Sequence, residues 1–267
     1  MTAIMGHAGL MFNMWDDDAQ ALFDRFASDP SGAIKNKINT LIVSLKDAGI
    51  WALLDSLYVP AKTGEQTGGL CDWKRATKVA TLNGGCTWDN TNGFVGDAGV
   101  GSFVNLDFIP STMGVNYTLD DASAGAYFTT ASASDGLYFG CSSSGSSILR
   151  FQRFSASFHY STVNSSAGGS ATYSSALDVA NKLISCQRAG SGSNTSCYLY
   201  VDGVETGTTD TADAGALSSV TMYALAQNSG GAALSPASGS IAAIYAGASL
   251  TPALMVLLNT YIETYLS

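Results

Sequence analysis

Apolar residues fall into two regimes along this chain. Up to about residue 60 they recur at helical spacing, and beyond it they alternate or come in short runs cut by glycine, serine and asparagine. Asp16-Asp17-Asp18 supply an N-cap and first-turn carboxylates for a short helix carrying Leu22, Phe23 and Phe26. Asp29-Pro30-Ser31-Gly32 breaks it. Ile38, Leu41, Ile42 and Leu45 then mark a second helix, with Lys35, Lys37 and Lys46 on other faces and Gly49 placed to end it. A third short helix is expected to carry Ile50, Trp51, Leu53, Leu54 and Leu57, ending at Tyr58-Val59-Pro60. The polar, turn-rich stretch 61–70 joins these helices to a β region.

Within that region, Thr81 to Pro110 holds a turn at Gly84-Gly85, a short strand at Cys86-Thr87-Trp88 and a second turn at Asp89-Asn90-Thr91-Asn92-Gly93. Ser102 to Phe108 alternates, with Phe103, Asn105 and Asp107 on one face and Val104, Leu106 and Phe108 on the other. Strands and turns continue through Ile148 to Thr162, where the alternation is imperfect. Asp202-Gly203 is a hairpin signal between Tyr200-Val201 and Val204-Glu205. Thr251 and Pro252 open a last helix with Leu254, Met255, Leu258, Tyr261, Ile262 and Tyr265 along one stripe. About ten short strands with polar turns predict a mainly β protein, a two-sheet antiparallel sandwich. The expected division is an apolar arm over 1–15, a helical attachment segment over 16–60, and a sandwich over 61–267 closed by a helix over 251–266.

Composition narrows the role. The chain has 267 residues, only 12% of them charged and 46% hydrophobic, which is enough apolar surface to exclude disorder. Its net charge of −9 repels phosphate backbones, and no cluster of Lys and Arg offsets that, so nucleic-acid binding is excluded. The start, MTAIMGHAGLMFNMW, has no basic region and its apolar runs are interrupted, so it reads neither as a signal peptide nor as a membrane span. Met11, Phe12 and Trp15 within it are apolar enough to serve assembly, packing on the domain or on a partner. None of the five cysteines has CxxC spacing. Cys186 and Cys197 flank a turn and could pair across strands, or remain buried thiols.

Three stretches together resemble a known pattern: NTLIVSLKDAGIWALLDSLYV (39–59), LNGGCTWDNTNGFVGDAGVGSFVNLDFIPS (82–111) and YAGASLTPALMVLLNTYIETYL (245–266). They resemble phage and prophage virion-associated proteins built on a concanavalin A-like (laminin-G-like) jelly roll. ISCQRAGSGSNTSCYLYVDGVETGT (184–208) is similar to the hairpin segment of such domains. The resemblance covers residues 35–266. It implies a particle assembled in the host cytoplasm, with other virion proteins and sister subunits as partners in a homo-oligomer. It also implies a tail-fibre, receptor-binding or capsid-decoration role, often with adhesion to glycans.

Concanavalin A-like folds also house glycoside hydrolases. The usual retaining route needs two carboxyl groups about 5 Å apart. Glu65, Glu205 and Glu263 are scattered, Asp107 stands alone and Asp120-Asp121 are adjacent on the chain, so the expectation is a protein that is not an enzyme. His7 and His159 are the only histidines, no G-x-S-x-G elbow accompanies them, and His159 between Phe158 and Tyr160 reads as a packed sheet residue. Asp89, Asn92 and Asp97 in adjoining turns offer hard oxygens suited to Ca2+, or simply make Asx-turns. For a sugar, an exposed ring beside acid or amide groups is wanted. Tyr117 with Asp120 and Asp121, and Trp88 with Asn90, are the candidates. The reading is a lectin-like adhesion module, with a capsid cement protein and a polysaccharide-degrading enzyme as the alternatives.

Overall fold

The computed structural model describes residues 15–133, 135–145, 147–155, 158–165, 170–173, 178–189, 196–211 and 215–267. Helix α1 (Asp17–Phe23) is capped by the Asp16 carboxylate, which accepts from the Asp18 amide. Helix α2 (Gly32–Asp47) starts at Ser31 and buries Ile38, Leu41, Ile42 and Leu45. Gly49 at φ 74° turns the chain into α3 (Ile50–Leu53), since a left-handed residue is cheapest as glycine. The third helix stops there. Leu54–Tyr58 is strand β1, correcting the expected helix to Leu57. All five of its residues are buried, and pairing with a sheet edge outweighs the local helical pattern.

Helix α4 (Gln66–Leu70) leads into β2 (Thr81–Asn83), β3 (Thr87–Asp89), β4 (Gly93–Asp97), β5 (Phe103–Asn105) and α5 (Pro110–Met113). Long strands come next: β6 (Ala122–Thr130), β7 (Gly136–Ser142), β8 (Ile148–Ser155), β9 (Phe158–Ser165), β10 (Ser170–Tyr173), β11 (Lys182–Ala189), β12 (Ser196–Val201) and β13 (Val204–Thr211). The chain ends with β14 (Tyr223–Ala224), β15 (Gln227–Ser229), β16 (Ala232–Leu234), β17 (Ser238–Gly247) and α6 (Pro252–Leu266).

Two sheets result. In the first, β17 pairs along its length with β6, while its other flank meets β4 and then β1. β3 extends β4, and β11, β12 and β13 extend β6. The second sheet runs β2–β5–β14–β7–β8–β9–β10, with β15 parallel to β7 and β16 beside it. Thr172 on β10 lies opposite Thr208 on β13, so hydrogen bonding passes from one sheet to the other there.

Strand alternation sends side chains of the first sheet into two separate cores. Ala124, Ala126, Phe128, Ile184, Cys186, Leu199, Ile241 and Ile244 meet Val104, Phe139, Leu149 and Phe151 between the sheets. Tyr127, Leu183, Tyr200, Ala243 and Tyr245 point the other way, onto α1, α2, α3 and α6. The protein is therefore mainly β, with α1, α2, α3 and α6 packed on the outer face of the first sheet. No helix among the described residues is long and apolar enough to cross a membrane.

Two buried carboxylates lock the N-terminal segment to the sandwich. Asp72 is fully buried and accepts from Ser56 Oγ (2.8 Å), the Lys74 amide (2.8 Å) and Arg75 Nε (2.6 Å). Arg75 goes on to the carbonyls of Asp107 (2.6 Å) and Leu106 (3.1 Å) beyond β5. Asp55 accepts from the amides of Val115, Asn116 and Tyr117. All five cysteines are buried and none is in a disulfide. The cross-strand bond is absent because Cys186 lies opposite Leu199, while Cys197 faces Arg188.

Candidate functional site

Among the described residues α1, α2, α3 and α6 pack on the first sheet, and alternation decides what the outer face of the second sheet shows. Val104, Ala224, Phe139 and Phe151 occupy one row across the sheet and lie in the core. The next row, Asn105–Tyr223–Gly140–Arg150–Thr162, therefore points away from that core, with Asn105 and Arg150 partly exposed and Tyr223, Gly140 and Thr162 buried. Phe103, two residues from Asn105, stacks on Tyr223 at 4.0 Å and 17°. Along β8 and β9 the same face carries Gln152 opposite Tyr160, then Phe154 and Phe158.

Three aromatic rings cluster at this end. Phe154 is 60% exposed and Phe158 39%, among the most exposed large apolar side chains described. Phe154 lies 6.1 Å from Tyr160, tilted by 43°. The Arg150 guanidinium sits over the Tyr160 ring at 4.8 Å. Such a contact holds a cation in place and leaves its N–H edge free.

Arg150 is otherwise underused. It forms no ion pair among the described residues, and its Nε is buried without a hydrogen-bond partner. Burial lowers its pKa from the ordinary arginine value, with Tyr160 acting the other way. Its cross-strand neighbour Thr162 is fully buried, and its Oγ1 also lacks a partner. Two buried polar atoms without partners thus fall at facing positions of this row.

The residues singled out in the sequence lie elsewhere. Tyr117 is corrected from a surface to a core position: it is 0% exposed, packs on Phe108, and donates through its hydroxyl to Asn164 Oδ1 (2.8 Å). Asp120 is half-buried, and exposed Asp121 accepts from the Ser249 amide (2.7 Å), which ties two loops together. Trp88 is half-buried and donates to the Pro60 carbonyl (2.8 Å), so its ring edge is committed. Asn90 is exposed but holds the Gly64 amide (2.7 Å).

Asp89 accepts from the amides of Thr91 and Asn92 in an Asx-turn. Asp97 accepts from the Gly99 amide at the far end of the β3–β4 hairpin; a bond from Ser102, and that one, hold its pKa below the ordinary value. Asp89 and Asp97 are therefore not brought together, and no group of three His, Cys, Asp or Glu side chains suited to a metal occurs among the described residues. Asn92 lines a cleft of about 360 Å³ with Lys62, Tyr127, Thr129, Asn181 and Glu263. Trp15 packs edge-on against Phe23 (5.8 Å), while Met11 and Phe12 lie outside the described residues.

Arg150, Tyr160 and Phe154 were not singled out from the sequence. Their signal is the run ILRFQRF, whose apolar residues switch parity between Phe151 and Phe154. The β8–β9 register shifts between Arg153 and Ser155, in the same stretch.

These features define a helix-backed β-sandwich with one open, ring-bearing sheet. No family model matches the chain. No curated protein matches it either. Solved structures do. Trypanosoma rangeli sialidase in complex with sialic acid superposes with a TM-score of 0.55 at 12% identity, over 85% of this chain and 39% of the sialidase. A mutant of that sialidase displaying trans-sialidase activity superposes with a TM-score of 0.51 at 14% identity, over 87% of this chain and 39% of the other. Domain 4 of a GH43 extracellular arabinanase from Geobacillus stearothermophilus, in complex with arabinotriose, gives 0.48 at 16% identity, over 78% and 98%. The chain thus spans about two-fifths of the sialidase chains whose fold it shares.

That likeness corrects the expectation that the chain is not an enzyme. The structures that superpose on it are named sialidases, over about two-fifths of their chains, so the fold gives no ground for expecting a non-enzyme. Unpaired carboxylates are too narrow a ground as well, because glycoside hydrolysis also runs through routes without a carboxylate pair.

Proposed function

We propose that this chain is a concanavalin A-like jelly-roll module that recognises carbohydrate through the open face of its second sheet. The observation that carries this reading is the exposed cluster of Phe154, Phe158 and Tyr160 beside Gln152 and Arg150. Ring faces pack against the apolar C–H face of a sugar, and amide and guanidinium groups bond its hydroxyls. The fold likeness to a sialidase solved with sialic acid bound supports the same class of ligand.

In its finer form the reading places the module on a phage particle, beside other virion proteins and sister subunits, as an adhesin for host or environmental polysaccharide. What supports that is the resemblance of 39–59, 82–111 and 245–266. Mass spectrometry of purified particles from a lysogen carrying the gene tests it directly: peptides of this chain are expected in the particle fraction.

Recognition itself is tested on a glycan array with labelled protein. Saturable binding to a subset of saccharides is expected, and Phe154→Ala with Tyr160→Ala should weaken it at least tenfold while the melting temperature holds. Unchanged binding by that folded double variant removes the open face from the reading.

A further inference from the structure

We propose that Arg150 and Thr162 form a subsite for the carboxylate of an acidic saccharide. This rests on the carbohydrate reading of the same face and names the class of sugar it takes. Three independent features of the structure point to it.

First, Arg150 is a partly buried cation without a counter-ion among the described residues. The protein's other partly or fully buried arginines are used differently. Arg25 bonds the carbonyls of Asp72 and Lys78, Arg75 pairs with Asp72, Arg153 bonds the Ser132 carbonyl beside Asp135, and Arg188 bonds the Val163 carbonyl. A desolvated charge is costly unless paired, and the partner missing here is an anion.

Second, the guanidinium carbon lies over the Tyr160 ring, 4.8 Å from its centroid, which restrains the group there. Its Nε–H is unpartnered. An Nε–H beside an Nη–H is the fork that a carboxylate accepts with two parallel bonds. Third, Thr162 stands opposite Arg150 in the strand register, is fully buried, and has an unpartnered hydroxyl. Facing side chains across a strand pair stand about 5 Å apart, so this hydroxyl is placed to donate to an oxygen held by the fork. Tyr160, Phe154 and Phe158 then offer rings to the sugar that bears the acid.

The rest of the molecule makes the test clean. With a net charge of −9 the protein repels polyanions at long range, so retention of an acidic polymer reports a local site.

The experiment titrates the full chain with soluble polygalacturonate, alginate and hyaluronate, and with the carboxyl-reduced form of each, by calorimetry or biolayer interferometry. At least one native polymer should bind at least tenfold more tightly than its reduced form. Arg150→Gln should remove that preference, and Thr162→Val should reduce it several-fold, with circular dichroism and melting temperature confirming folded variants. Arg150→Lys, which keeps the charge and loses the fork, should lose most of the preference.

Equal binding of native and reduced polymers, with Arg150→Gln unaffected, overturns the acidic subsite and leaves carbohydrate recognition standing. Equal loss of native and reduced polymers in Arg150→Gln overturns it too, since the arginine would then act without regard to the acid. A folded protein that binds neither these polymers nor any saccharide on the array overturns both readings. Dextran sulfate is the last arm. Binding by sulfate polymers alone, lost in Arg150→Gln, overturns the carboxylate assignment and assigns the fork to sulfate esters.

Discussion

His159 shows how a polar residue is used in this core without serving chemistry. It is 1% exposed, stacks on Phe151 at 5.9 Å and 16°, and neither ring nitrogen has a partner. Burial, with Arg153 adding to it, lowers its pKa to about 4. The imidazole is thus neutral in the folded protein, while in the unfolded chain it titrates near its ordinary value. Between those two values the unfolded chain binds more protons, so stability is full above about pH 6.5 and falls as pH drops toward 4. The loss by pH 4.5 should be about 2 to 3 kcal/mol. Urea midpoints at pH 7.5 and 4.5 check this against His159→Phe, whose loss should be smaller by that amount. Equal losses in the two proteins would rule it out. The thiols behave consistently: burial pushes Cys86 and Cys141 up to about 12, so neither should react with a thiol reagent until the protein is unfolded.

At the scale of elements, the hinge of the architecture is β1 with its two carboxylate locks. Asp72 receives bonds from β1 and from its own loop, and Arg75 carries the connection to the segment after β5. Removing one partner of a buried pair leaves the other charge uncompensated, so Asp72→Ala should cost about 3 to 5 kcal/mol. Equilibrium unfolding in urea measures it, and a cost under about 1 kcal/mol would show that the pair is idle. The sequence was legible for α1, α2 and α6, where caps and apolar stripes agree with the fold. It misled at Leu54–Tyr58. There Leu54 and Leu57 face the helices and Tyr58 the inter-sheet core, and a strand between two cores has no polar face for its period to display. The same logic hid β8, where a register shift breaks the alternation.

For the whole molecule, the first sheet is shared by two cores, so the helical layer and the sandwich depend on each other. α6 buries Met255, Leu258, Ile262 and Tyr265 against it, and the Tyr265 hydroxyl reaches the Ala61 carbonyl (3.2 Å). A chain truncated after Ser249 uncovers the outer apolar face of Tyr127, Leu183 and Tyr245. It should aggregate or bind ANS strongly at neutral pH. A soluble truncated chain with an unchanged near-ultraviolet spectrum would show that the sandwich closes without its helix.

What the sequence by itself determined was the inventory: helices first, β after, a closing helix, a hairpin at Asp202-Gly203, and few charges to place. Those come from periods and caps that act over a few residues. The candidate site was another matter. Tyr117 and Tyr160 are both tyrosines in polar surroundings along the chain, yet one fills the core and the other carries an arginine on an open face. Only the tertiary structure decided between them, because exposure depends on which sheet the helices cover, and that is set by packing between segments far apart in the chain.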